Sequence, residues 1–125
     1  MKHAKDYLEE ANAEVPKIAV EEAITRHAQG GTLFIDVRDS GDIAKSGTIA
    51  GAKRIPRGMI EFRADPDFQM HDEDLKQDQP IALVCGAGGQ AALTGKTLKD
   101  MGYTDVVNVG GFAAWKEAGG PTEDG

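Results

Sequence analysis

Cysteine is nearly absent from this chain: there is one residue in 125, Cys85, so no disulfide can form within it. Histidine is almost as scarce. His3, His27 and His71 stand far apart, with no spacing that suggests a metal site. Long apolar runs are missing too. None approaches the length of a membrane span, and the opening Met1-Lys2-His3-Ala4-Lys5-Asp6-Tyr7-Leu8 has no apolar core of a signal peptide. The sequence therefore predicts a cytoplasmic protein. Positive charge is in deficit: 14 Lys and Arg against 21 Asp and Glu give a formal net charge of −7. That balance argues against a nucleic-acid backbone as partner and, more weakly, against an anionic membrane. An anionic substrate would have to be held by a local site working against the global field. Internal repeats are lacking as well. The 125 residues suffice for one domain, and a domain of this size buries roughly two thirds of its unfolded surface, so it needs no disulfide or metal to hold it.

What is present reads as helices alternating with short apolar strands. Ala4, Tyr7, Leu8, Ala11 and Val15 recur at helical spacing, and Pro16 ends that helix. Val20, Ala23, Ile24, His27 and Ala28 form a second stripe, stopped by Gly30-Gly31. Leu33 to Val37 is a short apolar run typical of a buried strand. Asp39 to Asp42 can cap a short helix, Ala52 to Ile55 reads as a short strand, and Met59 to Phe62 as a turn or two of helix. The polar stretch from Asp65 to Gln79 predicts a surface loop. Ile81 to Val84 predicts a strand, Ala91 to about Met101 a helix with Gly102 at its end, and Val106 to Val109 a last strand. Gly110-Gly111 leads into a short helix carrying Phe112 and Trp115, both read as core packing. Residues 1–15 form an N-terminal helical extension, 16–121 the main domain, and 122–125 a mobile tail. The alternation implies an α/β fold, a parallel sheet covered on both faces.

Cys85 stands at the seam of this pattern. It closes the strand and opens a glycine-rich loop, Gly86-Ala87-Gly88-Gly89-Gln90, that runs into a helix. Backbone N–H groups and the positive end of the helix dipole converge at such a seam and favour the thiolate, the reactive form. A lone cysteine is more often a small buried hydrophobe, but this position favours a reactive thiol. Asp36 and Arg38 read as supports of the fold beside the loop, Asp36 bonded to backbone and Arg38 paired to a carboxylate.

Four stretches, in order, make the chain resemble the rhodanese-like domain, the single-domain sulfurtransferase family. They are Phe34-Ile35-Asp36-Val37-Arg38; Gly47-Thr48-Ile49-Ala50-Gly51-Ala52 with Ile55-Pro56; the Cys85 loop; and Gly110-Gly111-Phe112-Ala113-Ala114-Trp115 with Gly119. The resemblance implies a five-stranded, mostly parallel sheet with helices on both faces, the N-terminal helix being an addition. It also implies a reaction. Cys85 would take a sulfane sulfur from a small donor such as thiosulfate, hold it as a persulfide, and pass it to cyanide, a thiol or a protein cysteine. No cofactor is implied. Residues Gly86, Ala87, Gly88, Gly89 and Gln90 would form the anion cradle.

The loop departs from the family pattern C-x-x-G-x-R: Gln90 stands where the arginine would close it, and Gly86 and Ala87 stand where basic or hydroxyl residues are common, so the loop has no side-chain cation. Glutamine donates hydrogen bonds but carries no charge. The loop therefore predicts weaker stabilisation of negative charge on Cys85 and a weaker grip on dianionic thiosulfate. Arg57 and Arg63 follow Ile55-Pro56, in a segment that lies near the loop in related proteins, and Arg63 is the candidate substrate-binding cation. Three other readings stand beside this one. A binding or sulfur-carrier module that barely turns over is the main alternative. Gly86 to Ala91 also fits G-x-G-x-x-A, the dinucleotide fingerprint, but the acidic residue expected near the end of the next strand is absent, since Val107-Asn108-Val109 stands there. A phosphatase of the same fold would need a longer loop ending in arginine.

Overall fold

The computed structural model describes the whole chain, Met1 to Gly125. Its elements follow the sequence pattern closely. They are α1 (Ala4–Glu14), α2 (Val20–Gln29), β1 (Leu33–Asp36), α3 (Ser40–Ser46), β2 (Thr48–Ile49), β3 (Lys53–Arg54), a 3₁₀ turn (Arg57–Met59), α4 (Ile60–Ala64), β4 (Ile81–Cys85), α5 (Gly89–Asp100), β5 (Val106–Gly111), α6 (Phe112–Glu117) and β6 (Thr122–Glu123). Four strands form a parallel sheet in the order β3-β1-β4-β5. Strand alternation sorts their side chains into two cores. Ile35, Ile81, Leu83 and Cys85 face one way, with Ile60, Ala91 and Leu98 from α4 and α5. Phe34, Ala82, Val84 and Val107 face the other way, with Ala23, Phe112 and Trp115 from α2 and α6. Phe34, His27 and Trp115 meet edge to face on that second side.

The five-stranded sheet expected from the sequence is not reached. The fifth member shrinks to a single parallel bridge, Lys17 beside Asn108. Asn108 N–H donates to Pro16 O at 2.8 Å and Ile18 N–H to Asn108 O at 3.1 Å. Pro16 has no N–H to lengthen the ladder, and α2 begins at Val20. The remaining two strands, β2 and β6, pair antiparallel in a separate small sheet.

Within the segment 122–125, expected to be mobile, Thr122 and Glu123 form a strand of that small sheet. Thr122 pairs with Ile49 and Glu123 with Thr48. The Glu123 carboxylate accepts from Gly51 N–H and pairs with Arg54 at 3.1 Å. The stretch from Asp65 to Gln79 carries turns and no helix or strand, as its composition predicts. It is anchored by Asp72, which pairs with both Lys53 and Arg63 at 3.0 Å.

Asp36 and Arg38 occupy the expected supporting place, with one refinement: the carboxylate that holds Arg38 is Asp36 itself. Fully buried Asp36 accepts from Arg38 N–H, Arg38 Nε and Nη2, and Thr48 Oγ1. Arg38 also donates to Ser46 Oγ and Gly47 O and lies 4.8 Å over the Phe112 ring. The two charges are thus fully hydrogen-bonded, the condition under which a buried ion pair is tolerated. They tie β1 to the α3–β2 turn and to α6.

Candidate active site

Cys85 is the last residue of β4, on the face that packs against α5. The chain must reverse within three residues to start that helix. Gly88 does so at φ 98°, a left-handed conformation that a side chain would strain. The reversal aims two N–H groups at one atom. Cys85 Sγ accepts from Gly88 N–H at 3.0 Å and from Ala91 N–H at 3.3 Å. The sulfur is buried, with 1 % of the residue exposed. Gly86 and Ala87 are exposed above it. The N–H groups of Gly86, Ala87 and Gln90 donate to no acceptor within the protein. Two backbone N–H groups thus converge on one buried sulfur, and three further amides of the same turn are left without a partner.

The loop is held from β5 by a residue that the sequence reading passed over. Asn108 is buried, and its Nδ2 donates to Gly88 O at 2.9 Å while its Oδ1 accepts from Gly110 N–H at 2.8 Å. A bulge makes this possible. Leu83 pairs with Asn108 but Val84 pairs with Gly110, so Val109 is skipped. Cys85 then lies beside Gly111, where any side chain would run into the Gly86 carbonyl. The Gly110-Gly111 pair was a signal in the sequence; the side-chain clamp beside it was not.

Gln90 stands in the first turn of α5, exposed, and its side chain bonds to nothing. Arg63, the cation proposed from sequence, is not brought to the loop. It points to Asp72, and it lines neither cavity that reaches the loop. Arg57, one turn earlier, does line one, donating to Thr97 Oγ1 at 3.2 Å and pairing with Glu61 at 3.3 Å. That cavity, of about 610 Å³, opens between α1 and α5 and reaches the loop at Gly89 and Gln90, with Tyr7, Leu8 and Leu93 along its wall. A second cavity of about 370 Å³ reaches the loop from the β5 side, at Ala87, Gly88 and Gly89. Leu8 borders both, over Gly89, so α1 divides the solvent face of the loop in two. No imidazole or carboxylate is hydrogen-bonded to Cys85. His27 lies between Phe34 and Trp115, and His71 Nε2 lies 3.0 Å from Leu75 O. No helix is long and apolar enough to cross a membrane.

Comparison with known proteins bears on the fold and the family. The chain is 31% identical over 98 residues to thiosulfate sulfurtransferase 16, a chloroplastic protein of Arabidopsis thaliana, covering 74% of this chain and 81% of that one. Among solved structures, the polysulfide-sulfur transferase homodimer of Wolinella succinogenes superposes with a TM-score of 0.76 at 27% identity, over 97% of this chain and 87% of that one. A Rhodopseudomonas palustris protein of unknown function, described as a possible tyrosine phosphatase, superposes with a TM-score of 0.93 at 34% identity, over 98% and 96%. The family model for the rhodanese-like domain matches residues 19–118, from the start of α2 to the end of α6, leaving α1 outside. This chain belongs to the rhodanese-like domain family.

Proposed function

We propose that the protein is a sulfurtransferase that moves a sulfane sulfur through a persulfide on Cys85. The observation that carries this reading is the pair of N–H groups on Sγ beneath loop amides that have no partner. In the first step the Cys85 thiolate attacks the sulfane sulfur of a donor such as thiosulfate. A new S–S bond forms, the donor's S–S bond breaks, and sulfite leaves with its electron pair. In the second step a nucleophile (cyanide, a small thiolate or a protein cysteine) attacks the outer sulfur. The Cys85 S–S bond breaks and Cys85 departs as thiolate, already solvated by Gly88 and Ala91 N–H. The free amides of Gly86, Ala87 and Gln90 are available to the outer sulfur and its charge. Covalent transfer divides one difficult displacement into two easier ones, and it calls on no cofactor. The names of the relatives, a thiosulfate sulfurtransferase and a polysulfide-sulfur transferase, support both the chemistry and the donor class.

The experiment is sulfur loading followed by transfer. After thiosulfate or polysulfide treatment the wild-type protein gains one sulfur and Cys85→Ser does not; added cyanide then releases thiocyanate. Loading without transfer would support the carrier module instead. A phosphatase is the second reading, raised by the Rhodopseudomonas palustris relative. Phosphoryl transfer would need a cation closing the loop and an acid for the leaving group. Gln90 is neutral, and the two carboxylates that line the larger cavity, Glu10 and Asp100, are paired with Lys2 and Lys96. Aryl phosphate hydrolysis dependent on Cys85 and faster than sulfur transfer would favour that reading.

A further inference from the structure

The loop lacks a cation of its own, but one stands beside it without a partner. Every other basic side chain that borders the loop's two cavities is engaged: Lys2 with Glu10, Lys96 with Asp100, Arg57 with Glu61. Lys17 is in none of the ion pairs and makes no side-chain hydrogen bond. Its backbone is nonetheless fixed, because the bridge to Asn108 sets its position at the sheet edge. From there the side chain lies across the two glycines of the clamp. Nζ is 3.8 Å from the point where a Cβ would stand on Gly88, and 3.8 Å from the same point on Gly110. Both glycines have positive φ, so a side chain is disfavoured at the very points the ammonium faces.

The cavity around it has a matching character. It reaches the loop at Ala87, Gly88 and Gly89, its other polar groups are Asn12 and Asn108, and Lys17 is its single charged residue. In a protein of net charge −7, a cavity against the loop with one unpaired ammonium and no carboxylate is a local exception to the global field. In a chain without the loop arginine, such an exception would add to the hold of the loop amides on an anionic donor.

We propose that Lys17 and this cavity form the anion subsite of the sulfur donor. The ammonium holds the oxyanion end of a donor of the thiosulfate class, an S–SO₃ group, with its sulfane sulfur directed to the loop at Ala87 to Gly89 that covers Cys85. Lys17 is a binding and specificity residue and takes no proton. The inference rests on the sulfur-transfer reading for the donor's identity, but the subsite is testable without turnover.

Thiosulfate is titrated into Cys85→Ser at low ionic strength, where an exposed charge is least screened, and binding is followed by amide chemical shifts. Shifts are expected at Ala87 to Gly89 and at Lys17. Adding Lys17→Gln should weaken binding about five- to ten-fold and Lys17→Arg should largely restore it, as a charge contact worth one decade or slightly less would require. In steady state, Lys17→Gln should lower kcat/KM for thiosulfate relative to that for an alkyl hydropersulfide, which gives up its outer sulfur with a thiolate leaving and has no oxyanion end, by a similar factor, with the loss carried by KM. Equal thiosulfate affinity with and without Lys17→Gln would overturn the subsite, and so would equal losses for both donors. If no donor loads sulfur on Cys85, the transfer reading fails while the titration still decides the subsite.

Discussion

At the scale of single residues, the site depends on who holds the loop as much as on the thiol. Asn108 bonds the Gly88 carbonyl and the Gly110 amide at once. Asn108→Ala removes both, and with them the partner of the Gly110 N–H; an unpaired buried donor costs about 1–3 kcal/mol. We expect a fall in chemical-denaturation stability of that order, together with slower sulfur loading, because the Gly88 N–H then loses its fixed aim at Sγ. Wild-type loading in an Asn108→Ala protein of reduced stability would separate the clamp from the chemistry. Gln90→Arg tests the opposite change. The Gln90 side chain bonds to nothing at the mouth of the larger cavity, so a guanidinium there adds a cation without breaking a contact. Thiosulfate turnover should rise; an unchanged or lower rate in a folded variant contradicts the view that charge limits this loop. Cys85 was legible in the sequence because strand, glycines and helix are contiguous around it. Asn108 and Lys17 were not. Their roles come from a bulge and a one-residue bridge, pairings between distant segments that local pattern does not encode. Arg63 was misplaced for a related reason. A helix as short as α4 does not reveal from sequence which of its side chains faces the loop, and the partner Asp72 lies in the irregular segment beyond it.

At the scale of elements, α1 is the addition that shapes access to the loop, and its seat is narrow. A Cβ on Gly95 would stand 2.8 Å from both methyl groups of Val15, which is buried and stiff at χ1. Ala in place of Gly adds about 1 kcal/mol of helix propensity, whereas overpacking a filled core costs about 1–3 kcal/mol. The clash should win. Gly95→Ala is expected to destabilise by about 1 kcal/mol relative to wild type, and Val15→Ala in the same chain should recover part of that loss. Simple additivity of the two changes in urea denaturation would argue that α1 does not rest on α5 as described. A larger effect is expected at β1. Asp36→Asn leaves Arg38 buried without its countercharge, a change worth roughly 3–5 kcal/mol, and thermal unfolding should reveal it. The order and kind of the major elements were legible from hydrophobic period and glycine placement. The fifth strand fell short because Pro16 and the early start of α2 leave one residue to pair. The tail gave no sequence signal for β6, since Thr122 and Glu123 are held by partners some 70 residues away.

At the scale of the whole molecule, acid is the informative stress. Burial pushes the Asp72 carboxyl up. The Asp74 N–H, the Lys53 ammonium and the neighbouring Arg63 outweigh that and hold it below its ordinary value near 3.8. The native state then binds that proton less readily than the unfolded chain. The contribution is complete above the ordinary carboxylate range and is lost as pH falls through the lowered value. Asp72→Asn should therefore reduce stability at neutral pH by about 1–2 kcal/mol, less than a fully buried pair because both cations are partly exposed. It should also flatten the acid limb of the stability profile; an unaltered slope below pH 4 would show that Asp72 does not anchor the segment from Asp65 to Gln79. The net charge of −7 sets the larger frame. In the proposed reading, an acidic molecule that handles an anionic donor would concentrate its hold on that donor in a few amides and the Lys17 ammonium, and the sulfur would rest on Cys85 in between. Intact-mass spectrometry of the whole protein after thiosulfate and after polysulfide tests this most directly. The expected result is a gain of one sulfur atom on wild type, lost on adding cyanide and absent in Cys85→Ser. No gain from either donor, or the same gain on Cys85→Ser, would contradict it.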